Sequence, residues 1–170
     1  MYSSSSDKEY QGSITSLFHH YLHLSPSNRL VDLAGGTGTL AASLAKAAGL
    51  TSPVSCVDPS KAMVAMVEGR EGVEGVCMGA EEWSRGGGQG DTDRVMIRGA
   101  IHHFNRCRLC TAHHTIPDAT RELLPTTLEG ILRRLAVGGR LVVEKPADTF
   151  VCLPYPARVV ALMDSMEPQR

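Results

Sequence analysis

The chain has 170 residues, 42% of them hydrophobic and 21% charged, enough for one globular domain with a core of its own. With 17 lysines and arginines against 18 acids the net charge is −1, which excludes a strong overall field drawing it onto nucleic acid or an anionic membrane. No apolar run approaches the roughly 20 residues of a membrane span, and "MYSSSSDKEY" lacks the regions of a secretory signal, so the expected location is the cytoplasm.

Residues 1–9 read as a flexible polar tail, and the domain is expected over 10–146. "SITSLFHHYLHL" places Ile14, Leu17, Phe18, Tyr21 and Leu22 at helical spacing, with His19, His20 and His23 facing solvent. "RLVDL" then reads as a strand, followed by a glycine loop and a helix, "TLAASLAKAAGL", with Leu40, Leu44 and Ala48 on one face and Gly49 as its stop. The unit repeats: "PVSCVD" is a strand, Ser60 an N-cap, and "KAMVAMVEG" a helix packing Met63, Val64 and Val67. "GVEGVCM" is a weaker strand, Ser84 to Asp91 a glycine-rich connection, and "RVMIRGA" a fourth strand. Periodicity is lost over 105–117, which reads as an irregular insertion. Thr126 and Glu129 have capping-box spacing, predicting a helix over "TLEGILRRLAV" up to Gly138 and Gly139, and "RLVVE" is a fifth strand. Residues 147–170 form a short extension in which "PYPARVVALMDSM" supplies one helix.

Strands that alternate with helices and are apolar throughout predict an α/β fold: a doubly wound, mainly parallel, five-stranded Rossmann-like sheet with helices on both faces. Ligands of such sheets bind outside the carboxyl ends of the strands, where the loop after Leu33 must lie. The 5 cysteines, Cys56, Cys77, Cys107, Cys110 and Cys152, are odd in number and scattered, and read as reduced, buried thiols.

The loop "RLVDLAGGTGTL" brings backbone amides to a helix N-terminus, a cradle for a pyrophosphate or a carboxylate. Gly36, Gly38 and Ala41 satisfy G-x-G-x-x-A, and Asp58 stands at the end of the second strand, placed to accept hydrogen bonds from ribose hydroxyls. That match alone does not separate NAD from another adenosine-containing cofactor. Asp32 helps to separate them, since an acid beside a pyrophosphate costs on the order of 4 kcal/mol at 4 Å and an effective dielectric near 20. Beside a ligand ammonium it is favourable, and S-adenosylmethionine offers an ammonium, a carboxylate and a ribose together. The plainer alternative is that Asp32 caps the turn.

With these motifs in order, the sequence resembles the class I S-adenosylmethionine-dependent methyltransferases, of the small-molecule type that includes the ubiquinone and menaquinone biosynthesis enzymes. The likeness covers roughly residues 10–146: "VDLAGGTG" is similar to the D-x-G-x-G-x-G loop, "VSCVDPSKAMV" to the ribose-binding acid and its helix, and "GAEEW" to the adenine-edge segment. "DRVMIRGAIHHF" is similar to the fourth strand and the segment after that strand, and "LEGILRRLAVGGRLVVEKP" to the fifth helix and strand. The resemblance implies that Gly36 and Gly38, with Ala34 and Gly35 in the same loop, line the methionine portion, Asp58 the ribose, and Pro59 and Ser60 the start of the adenine pocket. It further implies Ala80 and Glu81 at the adenine edge and Gly99 and Ala100 as the floor. Ala34 replaces the first glycine of the pattern, and Gly79 stands where an acid for the adenine amino group is common.

Methyl transfer is a displacement that needs the acceptor brought into line, with a base where the nucleophile must lose a proton. His102 and His103, just after the fourth strand, are the expected catalytic pair, or else they shape the loop. Cys107, Cys110, His113 and His114 are too crowded to close around one zinc, and no metal is expected. Trp83 either covers the adenine or packs into the core. The segment "RGAIHH" in place of D/N-P-P-Y/F argues against a nucleic-acid substrate, leaving a small-molecule acceptor.

Family members normally carry further C-terminal strands, which are expected to be missing here, leaving a sheet edge open to a second copy or a completing partner. The competing readings are a noncatalytic cofactor-binding or regulatory protein and, less favoured, an NAD-linked oxidoreductase.

Overall fold

In the computed structural model of the chain, residues 5–100, 123–145 and 149–154 are described. Helix α1 spans Ser5–Leu22 and so begins inside the expected flexible tail. Its buried stripe is Ile14, Phe18 and Leu22, four residues apart, whereas Leu17 is 38% exposed. Apolar periodicity marks only the part of a helix that is covered, and the polar turns before Ile14 continue the same helix beyond it. Strand β1, Leu30–Leu33, is buried along its whole length, and α2, Thr39–Ala48, packs Leu40 and Leu44 as predicted. Gly49 ends α2 in the left-handed conformation at φ 60°, the role read for it from sequence.

Strand β2 is Val54–Asp58, and Ser60 caps α3, Lys61–Ala65, by accepting from the Met63 N–H. Helix α3 is one short turn and a half, so Met63 lies 41% exposed while Val67, past its end, carries the packing at 2% exposure. Strand β3 is Val73–Cys77, followed by α4, Ala80–Arg85, a helix absent from the sequence reading, and β4, Thr92–Arg98. Cys56 is buried as expected, but Cys77 is exposed because β3 lies at the sheet edge.

Helix α5, Leu123–Arg134, starts three residues before the capping-box threonine. Pro125 sits in its first turn, where the missing N–H would have had no partner in any helix, so it does not interrupt the element. The helix also stops sooner than predicted, because β5, Leu135–Lys145, begins at once and pairs Leu135 with Thr92 before an irregularity ahead of Arg140. Strand β6, Thr149–Pro154, is a further element the sequence reading did not assign. It runs antiparallel to β5 and covers the edge expected to be open. The insertion at 105–117 and the helix expected over "PYPARVVALMDSM" lie outside the described residues, apart from Pro154.

The sheet order is β3-β2-β1-β4-β5-β6, with β1 to β5 mutually parallel, the expected doubly wound arrangement plus one antiparallel strand. Alternate residues of the strands build two cores. Val31, Leu33, Val95, Ile97, Leu141 and Val143 face α4 and α5, while Leu30, Val54, Met96 and Val142 face α1 and α2. Helices α4 and α5 meet closely because Gly130 has no side chain: a Cβ there would lie 2.7 Å from the Ser84 carbonyl oxygen. Trp83 is 6% exposed in that core, with the Arg134 guanidinium 3.6 Å from its ring centre, so of its two readings packing is the one observed.

Candidate cofactor site

From β1 the chain moves to β2 and β3 on one side, and β4 and β5 lie on the other, so the crossovers diverge at the carboxyl ends of β1 and β4. Loops leaving in opposite directions open a crevice there. A cavity of about 520 Å³ occupies it, lined by Asp32, Ala34, Gly35, Gly36, Thr37, Thr39, Leu40, Arg98, Gly99 and Glu144.

Register explains the chemistry of its floor. On the face toward α1 and α2, each central strand places an apolar residue and then, two positions on, a charged one: Leu30 then Asp32, Cys56 then Asp58, Met96 then Arg98, Val142 then Glu144. Asp32 is level with Cys56 and Met96, while Arg98 and Glu144 face each other one layer further out. Asp32 is therefore the deepest, at 3% exposure. Burial pushes its carboxyl up to about 7, opposed by the positive charge of Arg98 and reinforced by Asp58, and no hydrogen bond from a described residue offsets that burial. Arg98 Nε donates to Glu144 Oε2 at 3.0 Å, and the Gly99 N–H donates to the Glu144 carbonyl at 3.0 Å, tying the ends of β4 and β5 together.

The glycine loop is shaped by two separate constraints. Ala34, Gly36 and Gly38 have φ of 58°, 58° and 70°, so the three glycine positions of D-x-G-x-G-x-G are those where the backbone turns left-handed, and the alanine is the strained one. Gly35 is there for space: its Cβ would stand 2.6 Å from Cys56 Sγ and 2.7 Å from the Asp32 carboxyl carbon. The same crowding keeps the Cys56 thiol protonated, since burial and then the charges of Asp32 and Asp58 push it up to about 12.

Asp58 holds this loop in place. Its Oδ2 accepts from the Gly36 N–H at 3.0 Å and its Oδ1 from the Ser60 N–H at 2.9 Å. Of the residues singled out from sequence, Asp32, Ala34, Gly35, Gly36 and Gly99 line the cavity together. Gly38 lies behind the loop as the N-cap of α2, against Val67. Pro59 is exposed, Ser60 caps α3, Ala80 and Ala100 are in the core facing α4 and α5, and Glu81 lies in the first turn of α4. His102, His103 and the Cys107 to His114 cluster lie outside the described residues. Among the described residues no group of three metal-ligating side chains comes together. Arg98 and Glu144 were missed because "RVMIR" and "RLVVE" were read as apolar strands; the signal was the two-residue period, which carries their charged ends onto the same face as Asp32.

A family model described as a methyltransferase domain matches residues 30–139, from β1 through the start of β5. The chain belongs to that family. No curated protein sequence matches this methyltransferase domain. Among solved structures it is similar to a SAM-dependent methyltransferase from Archaeoglobus fulgidus at 19% identity and TM-score 0.59, covering 80% of this chain and 53% of that one. A geranyl diphosphate C-methyltransferase from Streptomyces coelicolor A3(2), solved with Mg2+, geranyl diphosphate and S-adenosyl-L-homocysteine, is similar at 16% identity and TM-score 0.59, over 78% of this chain and 45% of that one. So is the [4+2]-cyclase SpnF, at 19% identity and TM-score 0.59, over 78% and 44%. These likenesses show the fold, and a cyclase among them shows that the fold alone does not decide the reaction. The chain spans about half the length of these structures. None of the helices among its described residues is long and apolar enough to cross a membrane.

Proposed function

We propose that this methyltransferase domain binds S-adenosylmethionine in the cavity at the ends of β1 and β4 and transfers its methyl group to a small-molecule acceptor. The observation that carries the reading is Asp32, a carboxylate buried in the cavity floor without a hydrogen-bond donor among the described residues. A ligand ammonium fits that position, and a pyrophosphate would set like charge against it. The cofactor supplies an electrophilic methyl on a sulfonium. Ala34 to Thr37 would hold the amino-acid tail through the loop, and Asp58, which already fixes Gly36 and Ser60, would offer its remaining acceptor capacity to the ribose. Pro59, Ser60, Ala80 and Glu81 would border the adenine, with Gly99 and Ala100 beneath.

His102 and His103 follow Ala100 closely in the chain and are the proposed base or bases for the acceptor. A net charge of −1 and the absence of a D/N-P-P-Y/F segment support a small acceptor over nucleic acid, in a cytoplasmic setting.

Calorimetry with S-adenosylmethionine, S-adenosylhomocysteine and NAD tests the cofactor: the two adenosyl ligands should bind and NAD should not, and selective binding of NAD would sink the reading. Labelled methyl groups should reach an acceptor in a metabolite extract. Binding without transfer would leave a noncatalytic cofactor-binding protein.

A further inference from the structure

Helices α1 and α2 end in the same turn, built on different residues. At the end of α2 the Gly49 N–H donates to the Lys46 carbonyl at 3.3 Å and the Leu50 N–H to the Ala45 carbonyl at 3.0 Å, with Gly49 left-handed at φ 60°. At the end of α1 the His23 N–H donates to the His20 carbonyl at 3.2 Å and the Leu24 N–H to the His19 carbonyl at 3.4 Å, with His23 left-handed at φ 48°. Glycine is the usual residue at that position because a Cβ crowds the neighbouring carbonyl, so a histidine occupies it against the backbone preference. The sheet then closes the same helix end. Arg94 on β4 donates from Nε to the Leu22 carbonyl at 2.6 Å and from Nη2 to the His23 carbonyl at 3.4 Å, and Arg140 on β5 donates from Nη1 to the Tyr21 carbonyl at 3.4 Å. All four terminal carbonyls of α1, His19 to Leu22, therefore have donors. The His20 ring centre lies 6.2 Å from that of His23, and Asp93, next to Arg94, has its carboxylate engaged by Arg29.

We propose that His23 is a pH-sensitive latch: protonation of its imidazole, beside Arg94, Arg140 and His20, loosens the turn that fastens the end of α1 to the sheet. A histidine at a helix C-terminus is ordinarily favoured as a cation, because it faces carbonyls that lack partners. Here the two arginines and the turn itself already serve those carbonyls, so an imidazolium meets positive charge with little dipole left to offset it. In keeping with that placement, the charge of Arg140 first, then desolvation, His20 and Arg94 hold the imidazole below its ordinary value of 6.5. The folded state then binds fewer protons at His23 than the unfolded chain does, so the turn keeps its full stability above pH 6.5 and loses it as pH falls below that value. Asp32, raised to about 7, acts on global stability in the opposite direction, so the latch is read locally.

The test is amide exchange by NMR on the full chain, corrected for the intrinsic effect of pH on exchange. Between pH 7.5 and pH 5.5 the protection of the His23 and Leu24 amides should fall about 3- to 5-fold, while Gly49 and Leu50, in the matching turn of α2, should change by less than about 1.5-fold. Equal changes at the two helix ends would overturn the proposal. In 1 M NaCl, where the Debye length is about 3 Å, the fall at His23 and Leu24 should shrink below about twofold, and an undiminished fall would show that charge is not its cause. His23→Asn keeps a side chain that tolerates the left-handed turn and removes the titrating group, so its protection should be level across the same range. A pH dependence that survives in this variant would sink the assignment to His23, whereas a merely structural role would lower protection equally at every pH. The His23 imidazole resonances should titrate below 6.5 and move toward that value in Arg140→Gln, and a titration unmoved by that substitution would also overturn the latch.

Discussion

Toward the amino ends of β4 and β5, Arg94 and Arg140 stand side by side in register, and both reach the end of α1. Arg94 donates from Nε to the Leu22 carbonyl at 2.6 Å, and Arg140 from Nη1 to the Tyr21 carbonyl at 3.4 Å. Nearby, Arg29 and Asp93 form an ion pair at 3.0 Å. At the carboxyl ends of the same sheet, Arg98, Glu144 and Asp32 surround a cavity, and Asp32 is buried with no donor among the described residues. Charge at the amino ends closes the carbonyls of a helix terminus, as a cationic side chain there should. Charge at the carboxyl ends leaves the Asp32 carboxyl without a hydrogen bond from any described residue. The difference teaches where to look for a ligand: at the buried polar group that no described residue hydrogen-bonds.

The strongest way to break this comparison is Asp32→Asn. The folded-state pKa is raised from 3.8 to about 7, so between those values the native state binds more protons than the unfolded chain, and this group's contribution to stability falls as pH rises. At pH 8 the cost is on the order of 4 kcal/mol by the pKa difference. Urea unfolding should therefore find the variant more stable than the unaltered protein at pH 8 and nearly equal below pH 4, while it binds S-adenosylhomocysteine about 10- to 100-fold more weakly. A variant less stable at pH 8 would mean that Asp32 is a structural acid like Asp93. In the unaltered protein, binding of a ligand ammonium should tighten as pH rises through about 7, as Asp32 ionises.

Next in size is Gly35→Ala, whose methyl would meet Cys56 and the Asp32 carboxyl. It should cost about 1 to 3 kcal/mol in denaturant unfolding and weaken ligand binding, since relief requires moving Asp32. Arg94→Met removes the bonds to the end of α1 and should cost about 1 to 2 kcal/mol of stability with ligand affinity unchanged. A loss of affinity in that variant would show that the two ends of the sheet are coupled. The smallest effect is expected from Ala34→Gly. Relief of a φ of 58° offsets the extra freedom of glycine in the unfolded chain, for a gain of about 0.5 to 1 kcal/mol read as a rise in Tm.

Much of this is legible in the sequence, because β1, β2, β4 and β5 each carry a short apolar run and Gly36 and Gly38 stand where the chain turns left-handed. The helix ends were less legible. The T-x-x-E pair reads as a boundary, yet α5 starts three residues before its threonine. Strand β6 was overlooked because six residues ending in proline carry little local signal, and β5 supplies the partner that makes them a strand.

The sequence by itself determined the α/β alternation, the left-handed turns of the loop and the presence of an acid at its mouth, since these depend on periodicity and backbone sterics within a few residues. Tertiary structure alone decided that Asp32 is the deepest charge on its face and that Arg98 and Glu144, 66 and 112 positions further along the chain, share its cavity. Depth and company depend on the register between strands, which no single segment encodes.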